Sequence, residues 1–126
     1  MTSIRELAAE PYVSVSTFRK DGTAVATPVW AAPDGEALVI WTPVSAGKVK
    51  RIRNNPRVTL RACDLRGNAR GGEAEGRAEI LSAEETERVR ALLRKKYGLQ
   101  GRLVILGSRL RRGGRGTVGI RIAPAG

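Results

Sequence analysis

The stretch Y-V-S-V-S-T-F-R-K-D-G-T-A-V-A-T-P-V-W-A-A-P-D-G-E-A-L-V-I-W-T, residues 12–42, decides the fold. Its first part alternates, with Val13, Val15 and Thr17 on one face and Ser14, Ser16 and Phe18 on the other. That period of two, in β-forming residues, reads as a half-buried strand over 12–19. Lys20-Asp21-Gly22 follows as a tight turn, because Asp-Gly supplies the positive φ angles that hairpins require. Residues 23–32 read as the return strand, 33–35 (Pro-Asp-Gly) as a second turn, and 36–42 as a third strand. Three antiparallel strands joined by Asp-Gly turns form a meander.

Outward from this meander the period changes. Ser3-x-x-Glu6 is a capping box that opens a short helix ending before Pro11. Val49 and Ile52 stand three apart, so residues 48–55 read as a helix stopped by Pro56. Residues 57–64 form a fourth strand and 75–81 a fifth. Ser82-x-x-Glu85 starts an amphipathic helix carrying Val89, Leu92 and Leu93, with Gly98 as its C-terminal cap. Residues 102–110 fit either period, and 117–123 form a last strand. The Gly- and Arg-dense stretches 66–72 and 107–116 read as loops. The expectation is a mainly β, antiparallel, six-stranded barrel with a few short helices, spanning 1–126 as one domain. Closing the barrel protects the edge strands.

Composition narrows the chemistry. The 126 residues include no histidine and one cysteine, Cys63, so neither a His-based catalytic pair nor a Cys/His metal cluster can form. No metal site and no catalytic side-chain dyad is expected, and chemistry must come from a cofactor or from carboxylate, Lys or Arg groups. Glu73, Glu75 and Glu79 alternate along a strand, as on an exposed face. Cys63 is either a buried inert thiol or one activated by its neighbours Arg61 and Arg66. No run approaches the roughly 20 apolar residues of a membrane span, so a soluble cytoplasmic protein without membrane attachment is expected. The net charge of +11 points to an anionic partner. The aromatic residues are scattered rather than interleaved with basic ones, so a nucleic-acid-binding barrel remains only as an outside alternative.

One segment concentrates that charge. Residues 44–63 hold six basic side chains and no acidic one. Lys48, Lys50 and Arg51 follow Ser45-Ala46-Gly47 at a strand-to-helix turn, where free N–H groups and the helix dipole favour an anion. Thr42 and Ser45 add hydroxyl donors. A phosphate fits this arrangement, and so does a merely solvated basic helix. Thr27-Pro28-Val29-Trp30 is a second candidate. Pro28 inside a strand belongs at an edge or a bulge, and Trp30 is either the wall of a planar ligand or a core residue.

Taken together, residues 12–23, A-T-P-V-W (26–30), 40–58 and G-E-A-E-G-R-A-E-I-L (72–81) resemble the split β-barrel superfamily of pyridoxamine 5′-phosphate oxidase-like proteins. The closer resemblance is to its deazaflavin (coenzyme F420)-dependent reductases. The resemblance implies a homodimer with the ring of the cofactor in a groove at the interface. By position, Lys48 falls on the cofactor-phosphate lysine and Thr42 on the hydroxyl residue ending the preceding strand. Pro28, Val29 and Trp30 fall on the strand beside the ring, with Lys50 and Arg51 as further anion contacts. The implied function is hydride transfer between F420 and a small organic substrate, with an FMN-binding flavin reductase or carrier as the alternative. Two positions depart from the pattern. Thr27 stands where the oxidases proper carry a phosphate-binding Arg, and Ala46 where many deazaflavin relatives carry another. The missing histidine also argues against vitamin B6 oxidation.

Overall fold

The computed structural model describes residues 2–112 and 116–125, with 99–112 described by their backbone alone. Alternation builds β1 (Val13–Phe18), in which Val13, Val15 and Thr17 are buried. At the following turn the Asp21 carboxylate accepts the Thr23 N–H at 2.9 Å and Gly22 takes φ +89°. The chain returns as β2 (Ala24–Val29), in register from Val13 opposite Val29 to Phe18 opposite Ala24.

The return strand read over 23–32 is in fact two strands. β2 stops at Val29, and β3 (Ala31–Asp34) pairs instead with β4 (Ala37–Pro43), across a turn where Gly35 has φ +62°. Next come α2 (Gly47–Asn54), β5 (Arg57–Cys63), β6 (Ala69–Ile80), α3 (Ala83–Arg112) and β7 (Thr117–Pro124), after a short α1 (Ile4–Leu7) at the start. The strands form one antiparallel sheet in the order β2-β1-β5-β6-β7-β4-β3. The sheet therefore has seven strands, not six, and hydrogen bonds do not close it. Its two edges, β2 and β3, are separated in sequence only by Trp30. Two residues of chain span about 7 Å, so the sheet must roll until its edges nearly meet. Pro28, which lacks an N–H, sits in the edge strand β2, as its chemistry requires. The meander is corrected on the same ground: β1 lies between β2 and β5, and β4 between β3 and β7.

β4 is buried on both faces from Ala37 to Ile40. Leu38 and Ile40 point into the rolled sheet with Val13, Val15, Leu60 and Ile120, where α1 adds Ile4 and Leu7 and α2 adds Val49 and Ile52. Val39, on the alternate side, packs under α3 against Val89 and Leu93. The capping box at Ser82 forms as the sequence predicts, with the Glu85 N–H donating to Ser82 Oγ at 3.2 Å. Gly98 breaks the helix with φ 60° and ψ −135°. Beyond it the ambiguous stretch 102–110 is helical. Of the expected loop 107–116, residues 107–112 are helical and 113–115 lie outside the described residues. The other expected loop, 66–72, is shorter than read, because β6 already starts at Ala69.

Arg88 and Gly119 help to hold α3 down. Arg88 donates to both Asp34 oxygens, at 2.7 and 3.1 Å, and with Arg121 keeps that carboxyl below the usual carboxylate range. Gly119 lets the helix approach: a Cβ there would lie 2.7 Å from Val89 Cγ2 and 3.1 Å from Val89 Cβ. Val89 is buried and stiff at χ1. Gly119→Ala is therefore expected to lower stability by about 1–3 kcal/mol, read as a fall in the urea midpoint. Among the described residues no helix is long and apolar enough to cross a membrane.

Candidate functional site

The roll brings the β2–β3 joint, the end of β4 and the start of α2 together around a cavity of about 360 Å³. Pro28, Val29 and Trp30 line it from the joint, Trp41 and Thr42 from β4, and Lys48 from α2. Small-molecule sites span roughly 300–1,000 Å³ and are mostly apolar with a few polar groups, and this cavity has that character. Lys48 is half-buried, and burial, reinforced by the Arg51 charge, pushes its pKa below the ordinary lysine value. No side chain caps α2, whose N-cap is Ala46, and its first turn holds no acidic residue. The first amides of the helix thus have no side-chain cap.

The residues singled out in the sequence do not all converge. Gly47, Lys50 and Arg51 line a second, basic groove of about 320 Å³ with Arg19 and Lys20. A helix turns about 100° per residue, so Gly47 and Lys50 face away from Lys48. Arg51 folds back over the helix start. Its Nε donates to the buried Thr17 Oγ1 at 2.6 Å, and a Cβ on Gly47 would lie 2.7 Å from its Nη1. Ser45 is exposed on the turn and lines neither space. Thr27 sits mid-strand opposite Val15 and also lines neither, and its buried hydroxyl has no partner among the described residues.

Other wall residues escaped the sequence reading. Trp41 lines the cavity, and its buried indole N–H finds no acceptor among the described residues. Leu65 also lines it while 70% exposed. Its loop is tied to Asp64, whose carboxylate accepts the N–H groups of Arg66 and Asn68, each at 2.9 Å, and the Asn68 side-chain amide at 3.0 Å. These hydrogen bonds, chiefly from Asn68, hold the Asp64 pKa down. Leu93 comes from α3 and Tyr12 from the approach to β1. The one signal for Trp41 was its place beside Thr42 at a strand end. Leu65 carried none beyond an apolar residue in a polar loop.

Behind Trp30 stands Tyr97, its ring stacked at 4.3 Å between centroids and 9° between planes. The Tyr97 hydroxyl donates to the Pro11 carbonyl at 2.8 Å and accepts the Ala31 N–H at 3.2 Å. Burial pushes its pKa up to about 12. The ordinary phenol value is 10.0, so the folded state keeps this proton longer than the unfolded chain does. Its contribution to stability is complete below the ordinary value and is lost as pH rises through about 12. A late step in phenolate absorbance is expected, and Tyr97→Phe should remove it. Lys96 Nζ donates to the carbonyls of Ala8 at 2.8 Å, Glu10 at 2.6 Å, and Ala31. Burial, opposed by the Glu10 charge, pushes Lys96 down to about 8.

Cys63 is buried, and burial followed by the Asp64 charge raises its pKa against the pull of Arg70. It is the inert thiol of the two readings. Glu73, Glu75 and Glu79 are all exposed, as the alternation indicated.

Comparison with known proteins agrees with this architecture. A conserved hypothetical protein of Mycobacterium tuberculosis superposes with TM-score 0.72 at 23% identity, over 100% of this chain and 82% of its own. A structure described as an F420 reductase gives TM-score 0.68 at 22% identity, over 100% and 96%. An FAD-binding protein of Mesorhizobium loti gives TM-score 0.62 at 18% identity, over 95% and 83%. At these identities the likeness establishes the fold alone. No curated protein matches the sequence. The family described as pyridoxamine 5′-phosphate oxidase matches residues 3–125, nearly the whole length, and the chain belongs to that family.

Proposed function

We propose that the chain is an F420-dependent oxidoreductase whose cofactor ring lies in the cavity walled by Trp30. The observation that carries this reading is the joining of an apolar, aromatic-walled cavity to a half-buried lysine at an uncapped helix start. Bound there, the deazaflavin supplies or accepts a hydride for a small organic substrate. Lys48 and the first amides of α2 hold the phosphate. The buried Trp41 N–H, without an acceptor among the described residues, would be available to donate to a polar atom of the bound ring. The basic groove with Lys50 and Arg51 draws the acidic tail of F420 as a diffuse electrostatic surface. The chain binds and orients, while the cofactor does the chemistry.

FMN is the second reading. It has the same tricyclic shape and a phosphate, and an FAD-binding protein shares the fold. A cytoplasmic homodimer completing the site across its interface belongs to the same proposal. The alternate exposure of Ala24, Ala26 and Pro28 along the edge strand β2 supports it. Fluorescence titration of F420 and FMN against one preparation at low salt tests the reading. Saturable binding of either ring system supports a flavin-type site, and tighter binding of F420 decides for the first reading. Binding of neither would overturn both.

A further inference from the structure

Trp30 is the single residue between the two edges of the sheet and belongs to neither strand, so no ladder fixes it. Its surroundings do. Tyr97 lies flat on the Trp30 ring, and Ala31, the next residue, is held at both its N–H and its carbonyl. The Ala31 N–H, in the peptide that joins it to Trp30, donates to the Tyr97 hydroxyl, and the Ala31 carbonyl, in the following peptide, accepts from Lys96. The same two side chains reach the chain entering β1, through the carbonyls of Ala8, Glu10 and Pro11. Tyr97 is the last residue before the break at Gly98, so the turn of α3 that carries both groups ends at this joint. Trp30 lines the cavity and Tyr97 does not.

We propose that Lys96 and Tyr97 are positioning residues that fix the plane of the Trp30 wall, Tyr97 by stacking and Lys96 by anchoring the joint. That a planar cofactor reads this plane rests on the function proposed above. The orientation of Trp30 itself does not.

The two claims separate in one set of variants. Trp41→Phe leaves Trp30 as the one tryptophan, so its near-ultraviolet circular dichroism reports its order directly. In that background Tyr97→Leu is expected to abolish the Trp30 band while the far-ultraviolet spectrum persists. Tyr97→Phe, which keeps the stack, should retain it, and Lys96→Met should reduce it. With Trp41 restored, Tyr97→Leu should weaken binding of F420 or FMN roughly tenfold and Tyr97→Phe under about threefold. An unchanged band in Tyr97→Leu, or a band lost in Tyr97→Phe, overturns the positioning role. Should Tyr97→Leu not fold, the Tyr97→Phe and Lys96→Met spectra decide by the same criterion. Unchanged affinity in Tyr97→Leu with the band gone overturns the link to the ligand. Failure of the wild-type protein to bind either ring system defeats the proposed function, and the spectra still decide whether Tyr97 orders Trp30.

Discussion

Replacing Lys48 with alanine is expected to lower the affinity for F420, or for FMN, by ten- to hundred-fold. A hydrogen bond to a charged group contributes about 1.5–3 kcal/mol, and each 1.4 kcal/mol is roughly tenfold in affinity. Lys48 is half-buried at the cavity, where its charge is poorly screened. Burial already pushes its pKa down, so an arriving phosphate restores a partner to a charge that water solvates poorly. The other cations of residues 44–63 are differently placed. Arg53 is exposed. Arg57 is exposed, shares a 3.4 Å ion pair with Glu75, and lies 5.0 Å over the Phe18 ring. Exposed charges of this kind contribute about 0.2–1 kcal/mol and fade with salt. Arg53→Ala and Arg57→Ala should each change affinity by less than about threefold. Equal small losses for all three variants would reduce the segment to a charged surface.

Ile40→Ala should destabilise the fold by about 2–5 kcal/mol, with no change in the denaturant slope. Ile40 is fully buried and pairs with Ala31 on one side and Ile120 on the other. It faces the interior of the rolled sheet, while its neighbour Val39 packs under α3. Truncation leaves a void that a sheet held on both faces cannot collapse to fill. Leu65→Ala removes a side chain of similar size that is 70% exposed, and should alter stability by no more than about 0.5 kcal/mol. The contrast separates wall residues that serve the cavity from residues that serve the core. A loss below about 1 kcal/mol at Ile40 would place it outside the packed interior.

Features that depend on a few neighbouring residues were legible in the sequence. Asp21-Gly22 and Asp34-Gly35 gave turns because positive φ is a local demand. Ser3 and Ser82 gave caps because their hydroxyls reach only three residues on. The bend at Trp30 was not legible, since 23–32 keeps a strand-like composition across it. What splits that stretch is the distant partner of each half, β1 for one and β4 for the other. The start of β6 was hidden for a related reason. Backbone pairing of Ala69 and Arg70 with β5, past an irregularity at Arg61/Ala62, requires no apolar side chains. At the cavity, Lys48 and Pro28-Val29-Trp30 were within reach of motif reading. Trp41, Leu65, Leu93 and Tyr12 converge only through the roll of the sheet. Lys50 and Arg51 were grouped with Lys48 by adjacency, but the helix turns Lys50 into another groove and the hydrogen bond to Thr17 draws the Arg51 side chain there.

In the proposed site Lys48 reads a phosphate attached to a ring held beside Trp30. Equilibrium binding of FMN and of riboflavin, which differ by the phosphate alone, to the wild type and to Lys48→Ala tests it. Removing the phosphate is expected to weaken wild-type binding by ten- to hundred-fold and barely to affect binding to Lys48→Ala. Equal wild-type affinity for the phosphorylated and phosphate-free rings would contradict it.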